Sequence, residues 1–113
     1  GDYLAIAAGD GLLVGARSEE LELRESVDDA PFVIPASAAP LWARVARAPD
    51  GSARVLWGAG ASVWLYSSAT DEIEAFSAKE GVLDAAIVVS RDGVVVVAAR
   101  TASALWTRSV IGG

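Results

Sequence analysis

Two stretches of this chain carry the same punctuation 42 residues apart. Asp50-Gly51 and Asp92-Gly93 each sit between apolar runs. At that offset Leu41 falls opposite Leu83, Ala43 opposite Ala85 and Val45 opposite Ile87. Val55 likewise meets Val97, Val63 meets Leu105 and Trp64 meets Trp106. A shared turn with apolar positions in phase around it means that one unit is built more than once. Asp-Gly is a favoured tight hairpin turn because both residues tolerate positive φ. A third such pair, Asp10-Gly11, lies near the start. There Tyr3–Gly15 aligns with Arg54–Tyr66 at an offset of 51, with Gly9 opposite Gly60 and Val14 opposite Leu65. The longer offset places an insertion within Val27–Pro40.

The local pattern is β. Val94-Val95-Val96-Val97 is a β-branched run suited to a strand covered on both faces. Leu21 and Leu23 alternate with Glu20, Glu22 and Arg24, as on a half-exposed strand. Strands are expected near Tyr3–Ala8, Leu12–Arg17, Glu20–Ser26, Leu41–Ala48, Ala53–Trp57, Val63–Ser67, Glu72–Ser77, Leu83–Val89, Val94–Arg100 and Ala104–Arg108. Leu41, Val45 and Ala48 also have helical spacing, but their repeat partners in Leu83–Val89 favour a strand. In Val27–Pro40, Pro31 and Pro35 bracket Phe32-Val33-Ile34, a triplet that reads as an edge strand or an anchored loop.

Four strands per unit with a period in the low forties is the signature of β-propeller blades. The expected fold is thus a single all-β domain of antiparallel four-stranded blade repeats. Its parts are a partial blade over residues 1–26, a linker insertion over 27–40, a full blade over 41–77 and a partial blade over 78–113. That makes about two and a half blades, while closed propellers have about 4–8. Copies of the chain or the rest of a longer chain would complete the ring; the alternative is a compact β-sandwich or barrel.

Ala48–Thr70, APDGSARVLWGAGASVWLYSSAT, resembles a WD-repeat propeller blade. Pro49-Asp50-Gly51 matches the family's first turn, and Leu65-Tyr66-Ser67 stands where the family has Leu-Trp-Asp. In the next copy Arg91-Asp92-Gly93 matches the turn, and Leu105-Trp106-Thr107 takes the Leu-Trp-Asp place if the preceding loop is two residues shorter. The family's Gly-His pair has no counterpart, since the chain has no His, and no Asp follows Tyr66 or Trp106. The resemblance implies a rigid platform for other proteins, with no catalytic residues. It also implies a regulatory place inside a larger bacterial signalling protein.

Composition removes most chemistry. The 113 residues include no His, Cys or Met, so imidazole triads, thiolate nucleophiles and most transition-metal sites are excluded. Nine basic residues against fifteen acidic ones give a net charge of −6, which repels nucleic acid and anionic membranes. No apolar run approaches the roughly 20 residues of a membrane helix. The opening Gly1-Asp2-Tyr3 lacks the basic start of a secretory signal and begins on Gly, so an excised part of a longer, cytoplasmic protein is expected.

Gly58-Ala59-Gly60-Ala61-Ser62 reads as a small-residue hairpin turn, because Val63 stands where a dinucleotide loop needs its third Gly. The acidic residues around Glu19–Glu25 and Asp28-Asp29 lack calcium-loop spacing and read as solvated charge. Lys79, the single lysine, lies in a Lys-Glu-Gly turn with no activating base in the pattern. No enzyme activity, cofactor or metal is expected. The function expected is a protein-interaction or sensor module. A lectin-like, ring-forming module is the alternative, with Trp42, Trp57, Trp64 and Trp106 as stacking platforms. Matching positions in apolar strands make packing the better reading for Trp64 and Trp106. The candidate partner-contact residues are Trp42, Arg44, Trp57, Lys79 and Arg100.

Overall fold

The strands that the Asp-Gly turns join set the architecture. A computed structural model describes residues 3–110. The first two residues of the expected first unit and the last three of the expected third lie outside it. β1 (Ala5–Gly9), β2 (Leu12–Ala16), β3 (Glu20–Arg24) and β4 (Phe32–Pro35) form one sheet in chain order. β5 (Trp42–Arg47), β6 (Ala53–Ala59), β7 (Ser62–Ser67) and β8 (Glu72–Ser77) form a second. β9 (Val82–Val89), β10 (Val95–Thr101) and β11 (Leu105–Val110) form a third. The described residues are all-β: every paired neighbour is antiparallel and no helix is present. No helix among them is therefore long and apolar enough to cross a membrane. Each sheet is an open meander, and none closes into a barrel.

The 42-residue repeat holds at the level of register. Val45 pairs with Val55, and Ile87 with Val97. Trp42 pairs with Gly58, and Asp84 with Arg100. On the other side of the hairpin, Trp57 pairs with Trp64, and Ala99 with Trp106. The turns match as well. The Gly51 N–H donates to the Ala48 carbonyl at 2.9 Å, and the Gly93 N–H to the Ser90 carbonyl at 3.0 Å. Their φ values are +88° and +82°, a conformation that glycine adopts without a Cβ penalty.

This register corrects three sequence expectations. In the two repeated turns only the glycine is left-handed; of the three Asp-Gly pairs, Asp10-Gly11 alone forms a tight two-residue turn with both residues left-handed, at φ 51° and 81°. Leu105-Trp106-Thr107 occupies the place of Val63-Trp64-Leu65, so the shorter loop that would align it with Leu65-Tyr66-Ser67 does not exist. Finally, β1 is an edge strand lying against β5, so it corresponds to β5 and not to the strand that the 51-residue offset selects. A few small and apolar residues around a glycine were enough to align two hairpins that differ in their place in the sheet.

The stretch 27–40 holds more structure than a linker. Phe32–Pro35 pairs with β3 as an edge strand, with Leu21 opposite Ile34, so the first sheet has four strands. An edge tolerates the bracketing prolines because its outer N–H row needs no partner. Ile34 is fully buried and anchors the strand.

The second sheet lies between the other two, and its side chains divide by parity. Val55, Trp57 and Tyr66 join Leu12, Val14, Leu21 and Ile34 in one core cluster. Leu56, Val63, Leu65 and Phe76 join Val95 and Val97 in the other. β6 therefore has six successive buried residues, the pattern of a strand covered on both faces. β5 carries the stack, lying against β1 and β2 on one side and β9 on the other. At Gly9 the approach is so close that an added Cβ would lie 2.5 Å from the Val45 carbonyl oxygen. Asp10 secures the same seam by accepting from the Arg47 N–H at 3.0 Å.

Candidate functional site

The five candidate contact residues do not form one surface. Trp57 is only 1% exposed. It stacks on Trp64 with ring centroids 6.3 Å apart, inside the cluster between the first two sheets. This corrects its assignment as a contact residue: alternation along β6 sends it inward, and the first sheet covers it. Trp42 is half-buried and lies across Gly58, where an added Cβ would meet its ring at 2.3 Å. Arg44 braces the second seam. Its Nε donates to the Ala85 carbonyl at 2.9 Å, and its guanidinium pairs with Asp84 at 2.6 Å. Arg100 is exposed on the outward side of the third sheet, opposite Asp84 and Leu105.

Lys79 is the candidate that reaches a cleft. The gap lies between the β8 edge and β11, encloses about 450 Å³, and includes Phe76, Lys79, Glu80, Trp106 and Arg108 in its lining. The Arg108 guanidinium sits 4.4 Å from the centre of the Phe76 ring and pairs with Glu74 at 3.5 Å. Glu80 fixes one end. Its carboxylate accepts from the Thr101 hydroxyl at 2.6 Å, the Ser103 N–H at 3.1 Å, and the Ser103 hydroxyl. These donors, Ser103 first, hold the Glu80 carboxyl below the usual carboxylate range.

Each resolved carboxylate shift is downward: at Glu22 through the Tyr3 hydroxyl, at Asp50 through Ser52, at Glu80 through Ser103, and at Asp84 through the Ala85 N–H and Arg44. Such groups stay ionised at neutral pH. Tyr66 is pushed up to about 12 by burial and by its hydrogen bond to Asp71, so it stays neutral. Among the described residues no three Asp or Glu side chains are grouped to hold a metal ion.

Neither models of known families nor curated proteins give a match to this chain.

Sequence reasoning placed Lys79 in a turn but could not see the cleft, the Phe76–Arg108 stack or the Arg44–Asp84 pair. The usable signal was the 42-residue offset itself. Equivalent strands in successive units tend to lie side by side, which would have put β9 against β5.

Proposed function

We propose that this chain is a non-enzymatic protein-interaction module, a propeller-like stack of blades that serves a larger regulatory protein. The observation that carries the reading is the stack itself: antiparallel meanders in a repeated register, packed face to face. The outward faces favour continuation of that stack. Ile6 on the first sheet and Val88 and Leu105 on the third are largely exposed, whereas β6 in the second sheet is buried along both faces. Monomeric proteins seldom leave such apolar sheet faces open on two sides. The lectin-like alternative has less support. Its four tryptophans are buried or half-buried and pack into the two intersheet clusters.

Native mass by light scattering on a size-exclusion column tests the reading. A discrete oligomer that disperses on introducing charge at Ile6 or Val88 is the expected result. A stable monomer that binds no apolar dye would overturn it.

A further inference from the structure

We propose that Asp92-Gly93 is a site of spontaneous backbone modification, where the aspartate closes to a succinimide and reopens as an isoaspartate, while the equivalent Asp50-Gly51 resists. The two pairs hold the same place in the repeat. The Ala48 N–H donates to the Ser52 carbonyl at 2.8 Å, and the Ser90 N–H to the Val94 carbonyl at 2.9 Å. What differs is the grip on the carboxylate. Asp50 Oδ1 accepts from the Ser52 N–H at 2.9 Å and from the Ser52 hydroxyl at 2.5 Å. Pro49 precedes it, with φ fixed by its ring. In the third unit Arg91 stands in place of Pro49, and Val94 in place of Ser52. The Val94 N–H donates to the Ser90 hydroxyl at 3.1 Å, so the serine takes over what the aspartate does in the other turn. Among the described residues the Asp92 carboxylate makes no hydrogen bond or ion pair. Asp10, in the remaining Asp-Gly pair, is held by the Arg47 N–H at 3.0 Å.

The chemistry needs only the chain and water. The Gly93 backbone nitrogen attacks Cγ of the Asp92 carboxyl. A C–N bond forms, a carboxyl C–O bond breaks, and the hydroxyl and the amide hydrogen leave together as one water. Water then adds back to either carbonyl of the ring. Opening at the side-chain carbonyl restores aspartate. Opening at the main-chain carbonyl leaves the backbone running through Cβ and Cγ, one methylene longer. Closure needs a nitrogen that no Cβ crowds, which glycine supplies, and a carboxyl free to turn toward it. Asp92 is exposed and borders a hollow of about 270 Å³ between the two turns, lined also by Asp50, Arg54 and Arg91. The Ser52 donors fix the Asp50 carboxylate and hold its carboxyl below the usual range, in the ionised form that closes least readily. The added methylene would fall in the turn joining β9 to β10. Val95 lies two residues on, fully buried and paired with Val89, so conversion would loosen the third sheet first.

Incubation of the full chain at neutral pH in oxygen-labelled water tests this, because each ring that reopens takes one oxygen from solvent. Cleavage after Arg and Lys puts the three Asp-Gly pairs in separate peptides, so mass spectrometry reads each alone. Label should enter the Asp92 peptide at least tenfold faster than the Asp50 or Asp10 peptide, with isoaspartate as its companion product. In concentrated urea the three should label at similar rates. Val94→Ser should slow labelling at Asp92, and Ser52→Val should speed it at Asp50, with circular dichroism confirming that both variants fold. Equal labelling of Asp50 and Asp92 in the folded chain would overturn the inference. So would an unlabelled Asp92, or a ranking that persists unchanged in urea. None of these outcomes bears on native mass, by which the module reading stands or falls.

Discussion

Replacing Gly9 by alanine tests the seam between the first two sheets. A Cβ at that position would sit 2.5 Å from the Val45 carbonyl oxygen, against the 3.4 Å or more of an ordinary contact. The two strands must then part by about 0.9 Å. Both atoms belong to backbone, so no rotamer change relieves the clash. A gap of that size forfeits a quarter to a half of each dispersion contact it opens. Val14, Val45 and Val55 lie in the affected core. Overpacking of this kind costs about 1–3 kcal/mol. The φ of Gly9 is not in the left-handed region, so backbone strain does not contribute. Gly81→Ala is the matched control. Its added Cβ meets nothing within 4 Å, and its φ is also permissive. There the stiffer unfolded chain should stabilise by about 0.4–1 kcal/mol. Urea unfolding followed by tryptophan fluorescence separates the two, because 2 kcal/mol moves the midpoint by about 1 M at a typical slope. A Gly9→Ala midpoint equal to that of Gly81→Ala would mean that β1 and β5 do not meet as described.

Trp57→Ala should cost about 3–5 kcal/mol in the same assay, as a buried aromatic does, whereas a surface contact residue would change stability by under about 0.5. Gly51→Ala and Gly93→Ala each force a left-handed alanine and should each cost about 1–2 kcal/mol, with nearly equal shifts in midpoint. Glu22 is held below its ordinary value of 4.5, first by the Tyr3 hydroxyl and then by Arg17 and Arg24. That stabilisation is present above the unfolded value and is lost as pH falls through the lower folded one. Tyr3→Phe should therefore flatten the acid limb of a stability–pH curve. The Tyr66 hydroxyl is raised from 10 to about 12, so its contribution is full below pH 10 and fades as pH rises toward 12. Ultraviolet titration should show one late tyrosine, and Asp71→Asn should bring it earlier.

Much of the fold was legible because strand chemistry is local. Alternation in Leu21–Arg24 and the Asp-Gly pairs located hairpins without any knowledge of their neighbours. The helical spacing of Leu41, Val45 and Ala48 lost to a strand at Trp42–Arg47, as the repeat required. What failed depended on relations between sheets. Alternation shows that Trp57 and Val55 share a face, but not that the first sheet covers it. Within the first sheet, by contrast, Phe32-Val33-Ile34 is the edge strand that its bracketing prolines suggested, paired with β3. Arg44 resembled a contact residue because its partners, Asp84 and the Ala85 carbonyl, are about one repeat away.

Position in the repeat and position in the stack make separate demands on a residue. Leu56 and Ala98 occupy the same place in their hairpins, opposite Leu65 and Thr107 respectively. Leu56 is fully buried because the third sheet lies over it, while Ala98 faces outward and is partly open. Arg44 and Ala86 differ in the same way: the arginine has Asp84 and a carbonyl to reach, and the exposed alanine has no seam to brace. The repeat thus diverges most on the faces whose covering differs. On the shared face, Val55 and Val97 remain identical and Val45 and Ile87 remain close, because each pair packs against the preceding sheet. Register survives this divergence because turn and ladder geometry depend on backbone and on Gly51 and Gly93, not on what lies across the sheet. The weak sequence likeness between units therefore follows from their covering, since β6 is buried on both faces and β10 on one, while their strong likeness in register follows from the shared turns.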